Sequence, residues 1–359
     1  MAPDGPGWLW VGKPLRPPFR DGSTVLAAAF ARSLPAEVDL AYLGDPGAPL
    51  RPGDTVVAAP PMGYAPTMCD KLRALSVLLD RAHRRRSVHF FFTPNPVTSR
   101  VVAALRRLHR DRRFVQSVMS SDGIERRAPL LRGLDRVVVL SDHTKRRLEA
   151  TGVLPADRIV RIHPAVAIPA EAPPTPERPA VLFAGDLDET AGARIEALVH
   201  ALAGTAPVIV AARPKGPSDA AVRGRLSARL EAERRAGWFE LMAEVPDMEA
   251  LFRRAGLVVH LADHVARKVD LPLVLLEALA RGRGVVTTDA GPLPEIFAGA
   301  AAPIGRAAPG AQVVEAVAEA VTSGRWAAWA APARAHAAAR FDARRLGSQL
   351  AAVYAALAP

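Results

Sequence analysis

The stretch RKVDLPLVLLEALARGRGVVTTDAGPLPEIF, residues 267–297, sets the tightest limit on what this chain folds into. Val274, Leu275, Ala278 and Leu279 recur at i, i+1, i+4 and i+5, the spacing of one buried helix face, and Gly282 is placed to close that helix. Val285-Val286-Thr287-Thr288 follows as a β-branched run, which suits a strand buried on both faces of a parallel sheet. Gly291-Pro292 then turns the chain into a further predicted helix. The polar residues Lys268, Asp270, Glu277, Asp289 and Glu295 fall at strand and helix ends. In open α/β sheets ligands bind beyond the carboxyl ends of the strands, so the stretch reads as the wall of a pocket.

The same alternation runs through the chain. Strands are expected at 8–12, 38–43, 54–59, 88–93, 114–118, 136–140 and 158–162, with helices at 66–84, 97–110, 124–133 and 142–151. A second series begins with VLFAG at 181–185 and continues at 207–212, 237–242, 257–261 and 285–288. Strand–helix alternation of this kind predicts two doubly wound parallel sheets. The Pro-rich segment 170–180, AEAPPTPERPA, reads as a linker between a domain at 1–169 and another at 181–341. Residues from 309 onward read as helical, and the last helix, 342–357 within a terminal segment 342–359, is expected to return to the first domain.

Composition narrows the function classes. No apolar run reaches the roughly 18 residues that span a bilayer, and the N-terminus lacks the pattern of a secretory signal. One cysteine, Cys69, excludes an internal disulfide and a cysteine-based metal site, and the chain reads as cytoplasmic. The net charge of +11 lies almost wholly in residues 1–172, with 26 Lys+Arg against 16 Asp+Glu. It concentrates between Arg81 and Arg113. That region reads either as a solvated arginine-rich surface or as a face for an anionic membrane, which would make the protein peripheral at the inner membrane face. No aromatic side chain interleaves the arginines of 81–88, which speaks against a nucleic-acid partner. Only five lysines occur, and Lys13, Lys215 and Lys268 fall in predicted loops at strand ends, where an ammonium suits a phosphate.

DLPLVLLEALARGRGVVTTDAGPLPE resembles the donor-binding signature of retaining two-domain glycosyltransferases, the group 1 or family 4 type that includes sucrose and glycogen synthases. The resemblance is clearest over 181–300. It implies the GT-B fold, an α/β architecture in which two Rossmann-like domains face each other across a cleft. It further implies a nucleotide-sugar-dependent hexosyltransferase, with the donor as substrate, a glycan, lipid-linked or small-molecule hydroxyl as acceptor, and neither metal nor cofactor. On that resemblance Glu277 holds the ribose hydroxyls of the donor. The N–H groups at Gly291, Pro292 and Leu293 open a helix toward diphosphate or sugar, and Glu295 is either a ligand or a first-turn cap.

The departures from the pattern matter as much. Val269 stands where the family has its first motif glutamate, and the adjacent Asp270 is the candidate to replace it beside the sugar. Asp186 and Ala191 replace the arginine and lysine that meet the diphosphate in relatives, so Arg213, Lys215 and Lys268 are the candidate replacement cations. Asp186-Leu187-Asp188 also spells a metal-binding tripeptide of other sugar transferases, here in surroundings that match the metal-free fold. In the first domain Gly22-Ser23 opens a helix after the first strand, either toward an anion or as a plain capped turn. Asn95, Thr98, Ser99, Gln116 and Ser120 are candidates to line an acceptor pocket. His89, His143 and His163 read as structural or exposed. The departures leave open a catalytically impaired relative that binds or scaffolds in an envelope-polysaccharide pathway, and the basic first half leaves as a second alternative a nucleic-acid-binding protein, which the missing aromatics speak against.

Overall fold

The computed structural model describes residues 7–357 apart from 20, 61, 63–66, 81–85, 215 and 266–268. The chain divides into two units. Unit 1 comprises Met1–Ala165, Ala266–Asp270 and Ala343–Pro359, and unit 2 comprises Val166–Val265 and Leu271–Asp342.

Unit 1 is built on a seven-stranded sheet. Its strands are β1 (Trp8–Leu15), β2 (Leu40–Gly44), β3 (Thr55–Ala58), β4 (Ser87–Phe91), β5 (Phe114–Val118), β6 (Arg136–Val139) and β7 (Ile159–Arg161). They lie in the order β3-β2-β1-β4-β5-β6-β7, each pair parallel. The central strands β4 and β5 are buried along their length and mostly apolar, as a sheet covered on both faces requires, with Ser87, His89, Gln116 and Ser117 as buried polar residues. Helices Gly22–Ser33, Met68–Leu79, Pro96–Leu108 and Asp142–Ala150 make the crossovers. The predicted helix at 124–133 is shorter and tighter, Ile124–Arg127 running into a 3₁₀ turn at Ala128–Leu131 that contains Pro129. Helix Leu346–Ala355 packs on helix Gly22–Ser33 so closely that a Cβ on Gly347 would lie 1.7 Å from the carbonyl oxygen of Ser33.

Tyr354 of that last helix anchors it to the sheet. Its ring stacks on Trp8 at 3.7 Å, and its hydroxyl accepts from Trp10 Nε1 at 2.8 Å. The same hydroxyl lies 2.6 Å from His89 Nδ1, while His89 Nε2 lies 2.9 Å from Ser117 Oγ. Burial depresses the His89 pKa well below its ordinary value, so the ring sits there neutral as a hydrogen-bonding core residue.

Unit 2 is built on a six-stranded sheet of the order β10-β9-β8-β11-β12-β13. The strands are β8 (Ala180–Ala184), β9 (Val208–Ala211), β10 (Phe239–Met242), β11 (Ala255–His260), β12 (Gly284–Thr288) and β13 (Gly305–Ala308), again all parallel. Helix Glu189–Leu202 and helix Val313–Thr322 close an apolar core over one face that includes Phe183, Ile195, Val259, Val286 and Val317. The helix expected from the opening stretch is Leu273–Ala280, and Gly282 follows it at φ +67°. The strand at Gly305–Ala308 is absent from the sequence reading, because GRAA carries no β-branched residue. Arg283 and Arg334 fasten the Pro-rich segment to this unit. Arg283 donates to Pro174 O at 2.8 Å, and Arg334 donates to Ala170 O at 3.0 Å.

Candidate functional site

In unit 2 the strand order reverses between β8 and β11, and the carboxyl ends of those two strands mark its switch point. Helix Leu273–Ala280 packs on β11 and β12 and places Glu277 in its second turn. Glu277 is partly buried. Among the described residues its carboxylate makes no hydrogen bond and no salt bridge. Burial pushes its pKa up, Arg281 pulls it down, and Glu249 adds a smaller push upward. A partly buried carboxylate without a protein donor loses some of its hydration, so this group is open to hydrogen bonds that the described residues do not supply.

The loop after β8 is acidic. Asp188 caps helix Glu189–Leu202 by accepting from Ala191 N at 2.7 Å, Glu189 follows it, and Asp186 precedes it. His264 Nε2 lies 3.4 Å from Asp188 Oδ2. The cation nearest in sequence to the replaced lysine position is Arg194, three residues on from Ala191 along the same helix face. Its guanidinium forks onto Asp263 at 2.7 and 3.0 Å and donates to Leu261 O at 2.6 Å. The i, i+3 spacing was the signal that would have found it.

Arg213 lies exposed just past the carboxyl end of β9. That places it on the same edge of the same sheet as the switch point, two strand spacings or about 10 Å from β11. Lys215 and Lys268 lie outside the described residues. Gly291 takes φ +55°, but the helix expected after it is a single 3₁₀ turn, Leu293–Ile296. Pro292 has no N–H, and the N–H of Leu293 is engaged by Ala290 O at 3.2 Å. The expected array of free N–H groups on a helix dipole is therefore not formed. Glu295 lies in that turn, partly buried, with its N–H on Pro292 O.

In unit 1, Gly22-Ser23 begins the helix after β1, but Asp21 caps it. The Asp21 carboxylate accepts from Ser23 N and Thr24 N, each at 3.1 Å, and pairs with Lys13 Nζ at 3.1 Å. The helix end, read as either an anion site or a capped turn, thus already holds the carboxylate of Asp21, and Lys13 belongs to β1 rather than to a loop. Asn95 caps helix Pro96–Leu108 by accepting from Thr98 N at 3.0 Å. Gln116 is buried and donates to Phe92 O.

Asp270 counts with unit 1 and is fully buried there. Its Oδ1 accepts from Ser121 N at 2.7 Å, and its Oδ2 accepts from Ser141 Oγ at 2.6 Å and from Thr144 Oγ1. Its own N–H donates to Met119 O at 3.0 Å. Burial pushes the pKa up, against the pull of these donors. Ser141 also caps helix Asp142–Ala150, so one hydroxyl serves both the helix and the clasp. The sequence reading of Asp270 as a sugar contact did not foresee this, since its donors lie more than 120 residues away. Replacing Asp270 with Ala leaves buried donors unmet and is expected to lower stability by about 1–3 kcal/mol, read as a fall in thermal midpoint. An unchanged midpoint with lost activity would instead favour the sugar-contact role.

The family model described as Glycosyl transferases group 1 matches residues 178–323. Comparison with curated protein sequences gives no match. Among solved structures, HepE of Anabaena, crystallised with UDP and with UDP-glucose, is similar over 98% of this chain. For its UDP complex, which is covered over 100% of its length, the TM-score is 0.71 and the identity 16%. Sucrose-phosphate synthase of Thermosynechococcus elongatus is similar at TM-score 0.72 and 18% identity, over 98% of this chain and 99% of that one. WaaG, a glycosyltransferase involved in lipopolysaccharide biosynthesis, gives 0.68 and 16% over 97% and 99%. At such identities the structures speak for the fold. Residues 178–323 therefore match the model of the group 1 glycosyltransferases, and the chain as a whole has a GT-B-like fold of two parallel α/β sheets.

Proposed function

We propose that this protein transfers a hexose from a nucleotide-sugar donor to a hydroxyl of a glycan, lipid or small-molecule acceptor, with retention of configuration. The observation that carries the reading is Glu277. It is a partly buried carboxylate without a hydrogen bond among the described residues, on the helix that follows the switch-point strand. A ribose offers it two hydroxyl donors, and HepE, which shares the fold, was solved with UDP and UDP-glucose.

In this reading the acceptor oxygen bonds to the anomeric carbon from the face the nucleotide leaves. The carbon–oxygen bond to the diphosphate breaks, and the acceptor proton passes to a phosphate oxygen. The negative charge that leaves is the main electrostatic problem. The acidic loop at Asp186, Asp188 and Glu189 does not answer it, so Arg213, Lys215 and Lys268 are proposed to do so. Asp270 keeps its place as a candidate beside the sugar only through its backbone, because its carboxylate is engaged in unit 1. Gly291 and Glu295 are proposed to border the sugar, and Asn95 the acceptor.

Glu277→Gln is expected to weaken nucleoside diphosphate binding about 10- to 100-fold, the worth of hydrogen bonds to a charged group. Thermal shift reads this directly, since a ligand bound only by the native state raises its apparent stability. Equal shifts in wild type and variant would reject the reading. A second reading, a binding protein of low transfer activity, is favoured by the acids after β8 and by the buried apolar Val269. Slow hydrolysis of a nucleotide sugar by the wild-type protein would count against it.

The acceptor side is proposed to meet an anionic membrane through the region Arg81–Arg113. Among the described residues, Met68, Leu72, Leu79, Val97 and Leu108 are exposed on the helices Met68–Leu79 and Pro96–Leu108, beside Arg100, Arg107 and Arg110. Apolar side chains amid arginines suit an anionic lipid surface. The protein is expected to sediment with vesicles containing phosphatidylglycerol at low salt and less so at high salt. Equal sedimentation with neutral phosphatidylcholine vesicles would contradict this. No helix among the described residues is long and apolar enough to cross a membrane.

A further inference from the structure

Arg281 stands four residues after Glu277, as the C-cap residue of the same helix. Its guanidinium is fixed from three directions. Nε donates to Glu249 Oε2 at 2.7 Å, and Nη1 donates to the backbone carbonyl of Glu277 at 3.0 Å. The group also lies 4.7 Å from the centre of the buried Phe252 ring. With 17% of its side chain exposed, Arg281 is held rather than waving in solvent. An arginine secured by a carboxylate, a carbonyl and an aromatic face beside a carboxylate that makes no hydrogen bond calls for an explanation beyond helix stability. One surface ion pair is worth little by itself.

We propose that Arg281 is a positioning residue for Glu277, supplying the fixed positive charge against which that carboxylate is held as an acceptor for the two ribose hydroxyls of a nucleotide. The inference rests on the reading of Glu277 as the ribose anchor. Burial raises the Glu277 pKa, so the carboxylate depends on whatever positive charge its neighbours provide.

The neighbours are few. Glu249, on helix Met248–Arg254, pushes in the opposite direction, and its pairing with Arg281 blunts that push. Helix Ala330–Arg340 packs on the Glu277 helix, but its charged and titratable groups are engaged elsewhere. Arg334 donates to Ala280 O and Ala170 O, His336 bonds to Ile296 O, and Arg340 donates to Ala298 O. On the strands beneath, His260 bonds to His264 O. Arg283 donates to Phe252 O. Arg281 is therefore the cation whose field reaches Glu277 among the described residues.

The sign follows. Glu277 accepts two hydroxyl donors only when ionised, so binding weakens as pH falls through its pKa. Removing Arg281 moves that pKa further up and moves the loss of binding to higher pH. The test is UDP affinity by calorimetry from pH 5 to pH 8 for wild type, Arg281→Ala, Arg281→Gln and Arg281→Lys. Gln keeps most of the stem over Phe252 without the charge, which separates charge from packing and serves if the Ala variant folds poorly. Expected are weakened affinities toward the acid end of that range for Ala and Gln, at most about tenfold for a one-unit move of the Glu277 pKa. The profiles should converge on wild type near pH 8, and Lys should restore the wild-type profile. Parallel profiles at every pH, or a Lys variant that behaves like Gln, overturn the role of Arg281 while leaving the ribose anchor intact. Absence of UDP binding by the wild-type protein overturns the anchor itself and the inference with it.

Discussion

Taking a carboxylate out of water is costly unless donors replace the water, and two acids of one short stretch meet that constraint in opposite ways. Asp270 is fully buried and receives a backbone N–H and two hydroxyls, from Ser121, Ser141 and Thr144. Its negative charge is consumed by structure. Glu277, seven residues later, is less buried and receives no hydrogen bond from the described residues. Its capacity is left open. The first arrangement fixes a segment to unit 1, and the second leaves a site at the switch point of the unit 2 sheet.

An acid-capped helix follows β8, with Asp186, Asp188 and Glu189 grouped where the sequence resemblance implies cations. Arg194, one turn further along, is clamped by Asp263 and by the carbonyl of Leu261, so it braces the loop after β11. Arg213 stands at the end of β9, on the same edge. Among the described residues, positive charge at this edge thus comes from Arg194 on a helix and Arg213 past the end of β9. A single loop does not supply it.

Much of the fold was legible. Unbroken β-branched runs such as Val285–Thr288 and the regular spacing of helices between them specify parallel strands, and those strands formed within a few residues of their expected bounds. What escaped was short or poor in β-branched residues. Gly305–Ala308 is a strand because it pairs with β12, a reason that lies outside its own sequence. The turn at Leu293–Ile296 stopped after four residues, although Gly291-Pro292 is an ordinary helix start.

The candidate site was legible in part. Glu277 stood out by its place among apolar neighbours, whereas Arg281 is absent from the sequence reading although it lies at i, i+4. The clasp of Asp270 was not legible, because its partners follow β5 and β6 and no local pattern announces a contact across more than 120 residues. Of the two readings open to Gly22-Ser23, the structure shows a capped turn, since Asp21, directly before it, satisfies the same N–H groups that an anion would take. A capping acid and an anion site share one sequence signature.

The central claim is that Glu277 receives the two ribose hydroxyls of a nucleotide. It is tested most directly by comparing UDP with its 2′,3′-dideoxy analogue in binding to the wild-type protein and to Glu277→Gln. The account predicts that removing both hydroxyls weakens binding to wild type about tenfold or more, and that the difference largely disappears in the variant. An equal loss in both proteins, or none in wild type, would contradict it.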